Sequence, residues 1–103
     1  MNIAVLIKDN GTARLHDGIR LALGLTINHK ISLLITARGA DALSTALKDD
    51  AFRKQFLEAA ELIHSMSGNM KTEKAVAGVD TITVISRDDL TKILLESDSI
   101  ITF

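Results

Sequence analysis

From residue 2 to residue 7 the chain is apolar at all but the first position, with Ile3, Val5 and Ile7 on one side of an extended backbone and Ala4 and Leu6 on the other. A strand apolar on both faces predicts a place inside a parallel sheet covered by helices. The period then changes. Leu15, Ile19, Ala22 and Leu23 recur at helical spacing, and Leu21 and Leu25 widen the stripe beyond one ordinary face. Between the two segments lies Asp9-Asn10-Gly11-Thr12. Asn10 and Gly11 suit a tight turn and Thr12 a helix cap.

Period two returns from Ile31 to Thr36, where Ile31, Leu33 and Ile35 oppose Ser32, Leu34 and Thr36 and predict a second strand. Gly39 is expected to turn the chain and Asp41 to cap the next helix. Phe52, Phe56, Ala59, Ala60 and Ile63 form a continuous stripe, so the middle of the chain predicts one long helix or two pieces broken near Lys48 to Asp50. Asp50 is the expected internal cap and Gly68 the terminator. "NMKTE" predicts a short strand and "KAVAG" a single turn of helix ending at Gly78. Thr81 to Ser86 predicts a strand, after which Ser86 and Asp89 have capping-box spacing and Ile85 and Leu90 that of a hydrophobic staple. Leu90, Ile93 and Leu94 give a short helix, and "SIITF" closes as an apolar strand. Five strands alternating with four helical segments predict an α/β fold, a parallel sheet between helices, because parallel neighbours need crossovers of this length.

The 103 residues make one domain, 1–103, with 3% aromatics and neither Trp nor Tyr, so the core must be Ile, Leu, Val and Ala. Twelve basic against thirteen acidic side chains, with no run of either sign, show no nucleic-acid footprint. The absence of Cys excludes disulfides, thiolate metal sites and thiol nucleophiles, and three isolated His do not make a zinc set. No cofactor or metal is therefore expected. The apolar run from Ile3 to Ile7 is too short for a signal-peptide core or a membrane span, which leads us to expect a soluble, cytoplasmic chain with no membrane partner.

Candidate chemistry is sparse. The opening turn lacks Gly-x-Gly-x-x-Gly and Gly-Lys-Ser/Thr spacing, so neither a dinucleotide site nor a P-loop is predicted. His16 and Asp17 diverge around a helix, His29 falls in a turn, His64 falls near a helix C-terminus, and no Ser-His-Asp set can be assembled. Gly18 and Gly24 inside the first helix each cost about 1 kcal/mol against Ala, which points to close backbone packing there. Met66 and Met70 read as core or interface filler.

Three pieces, "IAVLIKDN", "RLHDGIRLALGLT" and "GVDTITVISRDDLTKILLESDSIITF", together resemble the DsrE/DsrF/DsrH family of small sulfur-relay proteins across nearly the whole chain. The resemblance implies a three-layer α/β/α sandwich with strand order 4-3-2-1-5 and assembly into dimers, trimers or hexamers. In active members it also implies a persulfide-carrying cysteine in the loop after strand three, which falls here near Lys71 to Lys74. Thr72 and Glu73 stand there instead. Neither a hydroxyl nor a carboxylate can replace a polarisable thiolate, so this chain is expected to be a non-catalytic relative, a structural or binding subunit beside cysteine-bearing DsrE-family subunits.

With that strand order, three crossovers put their helices on one face and the last puts a single helix on the other. Strands apolar on both faces then predict a bare apolar area that a second copy covers, with Leu21 and Leu25 as a further interface candidate. The alternative is a small-molecule or anion-binding protein, or an enzyme of unassigned reaction, using the carboxyl ends of the strands. Its candidate residues are Lys8, Asp9, Asn10, Arg38, Thr72, Glu73, Lys74 and Arg87.

Overall fold

The computed structural model describes residues 2–103 apart from 9, 10, 67, 80 and 81 and the side chain of Thr12. In chain order the elements are β1 Asn2–Ile7, α1 Thr12–Leu25, β2 Lys30–Ile35, α2 Ala37–Ala46, α3 Asp50–Ser65, β3 Asn69–Thr72, β4 Thr83–Val84, α4 Arg87–Glu96 and β5 Ser99–Thr102. All neighbours are parallel, in one five-stranded sheet of order β4-β3-β2-β1-β5. The register aligns Ile3, Val5 and Ile7 with Ile31, Leu33 and Ile35, and Leu33 in turn with Met70.

That register sets the layers. Odd-numbered residues of β1 and β2 face one side, where α1, α2 and α3 bury them with Leu15, Leu43, Phe56 and Ile63 in the main core. The other side holds a second, smaller cluster of Ala4, Leu34 and Leu90, flanked by Leu6, Ile85, Ile93 and Leu94, and α4 is its cover. The bare apolar face expected from the strand pattern is corrected here. Beside α4 the exposed part of this face presents Asn2, Lys30, Ser32, Asn69 and Lys71 around a hollow of about 220 Å³. Polar side chains on a sheet face can stay in water, so this region needs no second subunit. Large apolar exposure on this side narrows to Leu95 of α4, 81% exposed, and Ile100 of β5, 48% exposed.

Several local expectations change. Gly39 is inside α2 rather than in a turn, and Thr36, not Asp41, caps that helix, its hydroxyl accepting from the Gly39 N–H at 3.2 Å. The middle helix does break, but Asp49 is the cap, its carboxylate accepting from the Ala51 N–H at 3.4 Å, and Asp50 is the first helical residue. Gly68 ends α3 as expected, donating to the Ile63 carbonyl at 2.8 Å. α1 starts at Thr12 with Gly11 at the cap position, one residue earlier than expected.

"KAVAG" is not helical. Val76, Val79 and Ile82 nevertheless join the main core, and the chain turns at Gly78, φ +82°. The following strand is correspondingly short, Thr83–Val84, and Thr81 lies outside the described residues. Ser86 accepts from the Asp89 N–H at 3.1 Å, and Ile85 and Leu90 meet in the second cluster as the staple spacing predicts. Of the two helical glycines, Gly18 does mark close packing, since a Cβ there would lie 3.0 Å from the Ile7 side chain. Gly24 does not, for nothing lies within 4 Å of the corresponding point.

Candidate functional site at the carboxyl ends of the strands

Where each strand ends, the next backbone amide still bonds to its neighbour. Lys8 donates to the Phe103 carbonyl at 2.9 Å, Thr36 to Ile7 at 3.0 Å, Glu73 to Ile35 at 3.0 Å and Ile85 to Thr72 at 2.8 Å. These bonds fix the exits of β1, β2, β3 and β4 side by side and place the side chains just beyond them on one rim.

Glu73 is the most constrained of those side chains. One carboxylate oxygen accepts from the Ala37 N–H at 3.2 Å and from Arg87 Nη2 at 2.9 Å, while the other accepts from Arg87 Nε. The carboxylate thus joins β3, the first turn of α2 and the first turn of α4. Its side chain is 9% exposed against 69% for Arg87, so the acid is enclosed and the guanidinium lies mostly in water. The hydrogen bonds from Arg87 hold the Glu73 carboxyl below its ordinary value, against the opposing effect of burial, with further help from the Ala37 N–H. Arg87 is pushed up in return, chiefly by the same hydrogen bonds.

Because the folded value is lowered, the stabilisation is fully present above the ordinary carboxyl value of 4.5 and is lost as pH falls through the lower folded value. Glu73→Gln should therefore flatten the acid side of the stability curve. In paired urea titrations from neutral pH to below 4.5, the natural chain should lose stability more steeply than the variant. Its margin should be small, since the pair is half exposed. Parallel curves would show that Glu73 is not ion-paired in solution.

A cavity of about 390 Å³ opens beside this pair, between the first turns of α2 and α4, and Lys8, Thr36, Arg38, Arg87, Leu90 and Leu94 line it. The structure thus brings Lys8, Arg38 and Arg87 together, with Glu73 at their edge. Thr72 points away, buried, with its hydroxyl donating to the Lys74 carbonyl at 2.9 Å and accepting from the Lys74 N–H at 3.2 Å. Lys74 turns to Asp41, 2.5 Å from its carboxylate. Asp9 and Asn10 lie outside the described residues. Thr36 is absent from the sequence candidates, although a hydroxyl three residues ahead of Gly39 at the end of an apolar strand is an N-cap signal.

Two other sequence candidates lie away from this rim. Leu21 is half-buried beside Gly24, and Leu25 packs partly onto the main core, so the extra width of the α1 stripe is in part consumed within the chain. His16 lies edge-on to Phe52, ring centres 4.6 Å apart, between α1 and α3. Among the described residues no cluster of His, Asp and Glu could hold a metal ion, and no helix is long and apolar enough to cross a membrane.

No family profile and no curated protein matches the sequence significantly. By structure the chain is similar to the crystal structure of the ychN protein from E. coli, with a TM-score of 0.71 and 16% identity, over 100% of this chain and 99% of that one. The likeness is one of fold. It spans every element from β1 to β5, so the whole chain is a small α/β domain of a known architecture.

Proposed function

We propose that the chain is a non-catalytic DsrE/DsrF-like protein, a structural or binding subunit of an oligomer related to intracellular sulfur transfer. The observation that carries this reading is Glu73. The resemblance puts a sulfur-carrying cysteine in the loop after the third strand, near Lys71 to Lys74, and here Thr72 and Glu73 stand in that stretch, the second a carboxylate tied to Arg87 and to the first turn of α2. Such a group cannot accept a sulfane sulfur, whereas it does brace the rim on which a partner would rest. The strand order is the one the resemblance implies. Light scattering is expected to find a stable oligomer, and native mass spectrometry with a sulfur-loaded, cysteine-bearing DsrE-type protein should show association without transfer of sulfur mass. A stable monomer that binds no such protein would overturn the reading.

A second reading is favoured by the convergence of Lys8, Arg38 and Arg87 on one cavity at the start of α2, where a small anion would meet cationic side chains. Glu73 already takes the Ala37 N–H, which limits this site to what Lys8 and Arg38 can hold. If it operates, an anion should survive purification into native mass spectra and be released by Arg38→Ala with the assembly mass unchanged.

A further inference from the structure

We infer that the groove between α1 and α3 is a binding site for a small carboxylate carrying a single aromatic ring, with the ring held between the two helices and the carboxylate on Arg20. The groove shares no residue with the cavity at the carboxyl rim, and the inference goes beyond both functions proposed above.

The two helices present matching stripes to this groove. His16, Ile19, Arg20 and Leu23 recur on α1 at the spacing of one helix face, and Phe52, Gln55, Phe56 and Ala59 repeat the same spacing on α3. Between the stripes lies a hollow of about 150 Å³. An apolar cavity of that volume holds one benzene-sized ring. The chain is poor in aromatics, yet two of its three Phe and one of its three His gather at this hollow. Phe52 stacks on Phe56 with ring centres 6.1 Å apart and planes inclined by 16°, and His16 meets Phe52 edge-on. Aromatic rings favour offset-stacked and edge-to-face contacts at such separations, so an entering ring joins a cluster whose geometry is already set.

The mouth of the hollow supplies the polar half of the recognition. Arg20 and Gln55 are exposed, and among the described residues neither side chain has a hydrogen-bond or ion-pair partner. Arg20 does not pair even with Asp17, one turn away on α1, and no acidic side chain lines the hollow. An unanswered guanidinium at the edge of an apolar slot selects an anion, and its planar fork matches a carboxylate with two parallel hydrogen bonds. The Gln55 amide adds a further donor across the groove. A protein partner fits this shape less well. Phe52 is 6% and Phe56 2% exposed, so the floor offers a narrow slot and not the roughly 800 Å² that each side of a stable protein interface buries. A few convergent polar groups over an apolar hollow are instead the form of a small-molecule site.

The test follows backbone amide shifts of the full chain by NMR during titration with benzoate, with benzyl alcohol as a ring without charge and acetate as a charge without a ring. Benzoate should shift residues 16–23 and 52–59 and saturate at or below about 1 mM, and each control should bind at least about 10-fold more weakly. Arg20→Gln changes an exposed side chain and should keep the fold, weaken benzoate about 10- to 100-fold and leave benzyl alcohol unchanged. Leu23→Phe sets a ring of the chain's own in the hollow and should abolish binding of both; if that variant does not fold, Arg20→Gln alone decides. Unchanged benzoate affinity in Arg20→Gln overturns the site, and so does acetate binding as tightly as benzoate. Benzoate shifts confined to the rim around Lys8 and Arg38 would assign the anion to the other cavity and also overturn it, and no shift at all would do the same, while assembly and sulfur transfer are read by other measurements and stand or fall separately.

Discussion

Leu90→Ala is expected to lower folding stability by about 3 kcal/mol, a large part of what a domain of this size possesses. Leu90 is the one buried residue of α4, and it meets Ala4 and Leu34 in the smaller cluster on the second face of the sheet. Ile93 and Leu94 only flank that cluster, so truncating Leu90 removes the centre of the contact. The surroundings are poorly able to collapse into the gap. On one side the floor is the polar group of Asn2, Ser32, Asn69 and Lys71, whose desolvation would oppose closure. On the other is the cavity at the carboxyl rim, which Leu90 itself helps to line. Urea denaturation should show the midpoint falling with little change in slope, and hydrogen exchange should show α4 amides losing protection before those of β1 and β2. The consequence reaches the candidate site, since α4 begins with Arg87 and its release leaves the enclosed Glu73 carboxylate without its cation. A loss of under about 1 kcal/mol would show that α4 is held by something other than this cluster.

The second face also shows where the sequence pattern is legible and where it is not. Two-sided apolarity in β1 and alternation in β2 place both strands inside a parallel sheet, because strand period and burial are local properties of the chain. What covers each face is not local. Lys30, Ser32, Asn69 and Lys71 come from two strands separated by two helices, and only the register that sets Ser32 against Asn69 and Leu34 against Lys71 reveals that they form one polar surface. The stretch from Lys74 to Gly78 misleads for a related reason. The short run of Lys74 to Gly78 suits one turn of helix, but Val76 is drawn onto the main core from a non-helical segment, and Gly78 at positive φ turns the chain there.

At the rim, candidates chosen only for standing at strand ends are divided by contacts that a linear reading does not contain. Lys8, Arg38 and Arg87 share a cavity, whereas Thr72 satisfies its hydroxyl on the backbone of Lys74 and Lys74 satisfies its charge on Asp41. Glu73 is legible, with Thr72, as a residue in the stretch where the resemblance expects a thiol. Its bond to the Ala37 N–H is not, because it depends on where α2 begins. A glycine at position 39 suggests a turn and so pushes the expected start to Asp41, when it is close packing against β1 that requires the glycine.

Gly39→Ala is expected to destabilise the chain by about 2 kcal/mol, against the gain of up to about 1 kcal/mol that Ala brings to an unconstrained helical site. Gly39 occupies the third position of α2, where an added Cβ would lie 2.7 Å from the Ile7 carbonyl oxygen and 3.0 Å from the Ile35 side chain. The first of these contacts is with backbone, and it cannot turn aside. The same carbonyl accepts from the Thr36 N–H at 3.0 Å, so the start of α2 is bonded to the end of β1 at the very point the methyl group would push. Relief requires α2 to lift from the sheet, which lengthens the bonds of Thr36 to Ile7 and of Ala37 to Glu73 and carries Arg38 away from Lys8. Gly24→Ala provides the internal comparison, for that position is also helical, is exposed, and has nothing within 4 Å of the new atom. Thermal melts should therefore move in opposite directions for one chemical change at two helical sites, Gly39→Ala downward and Gly24→Ala slightly upward. If both variants are stabilised alike, α2 does not approach β1 as closely as the fold requires, and the rim built on that approach loses its geometry.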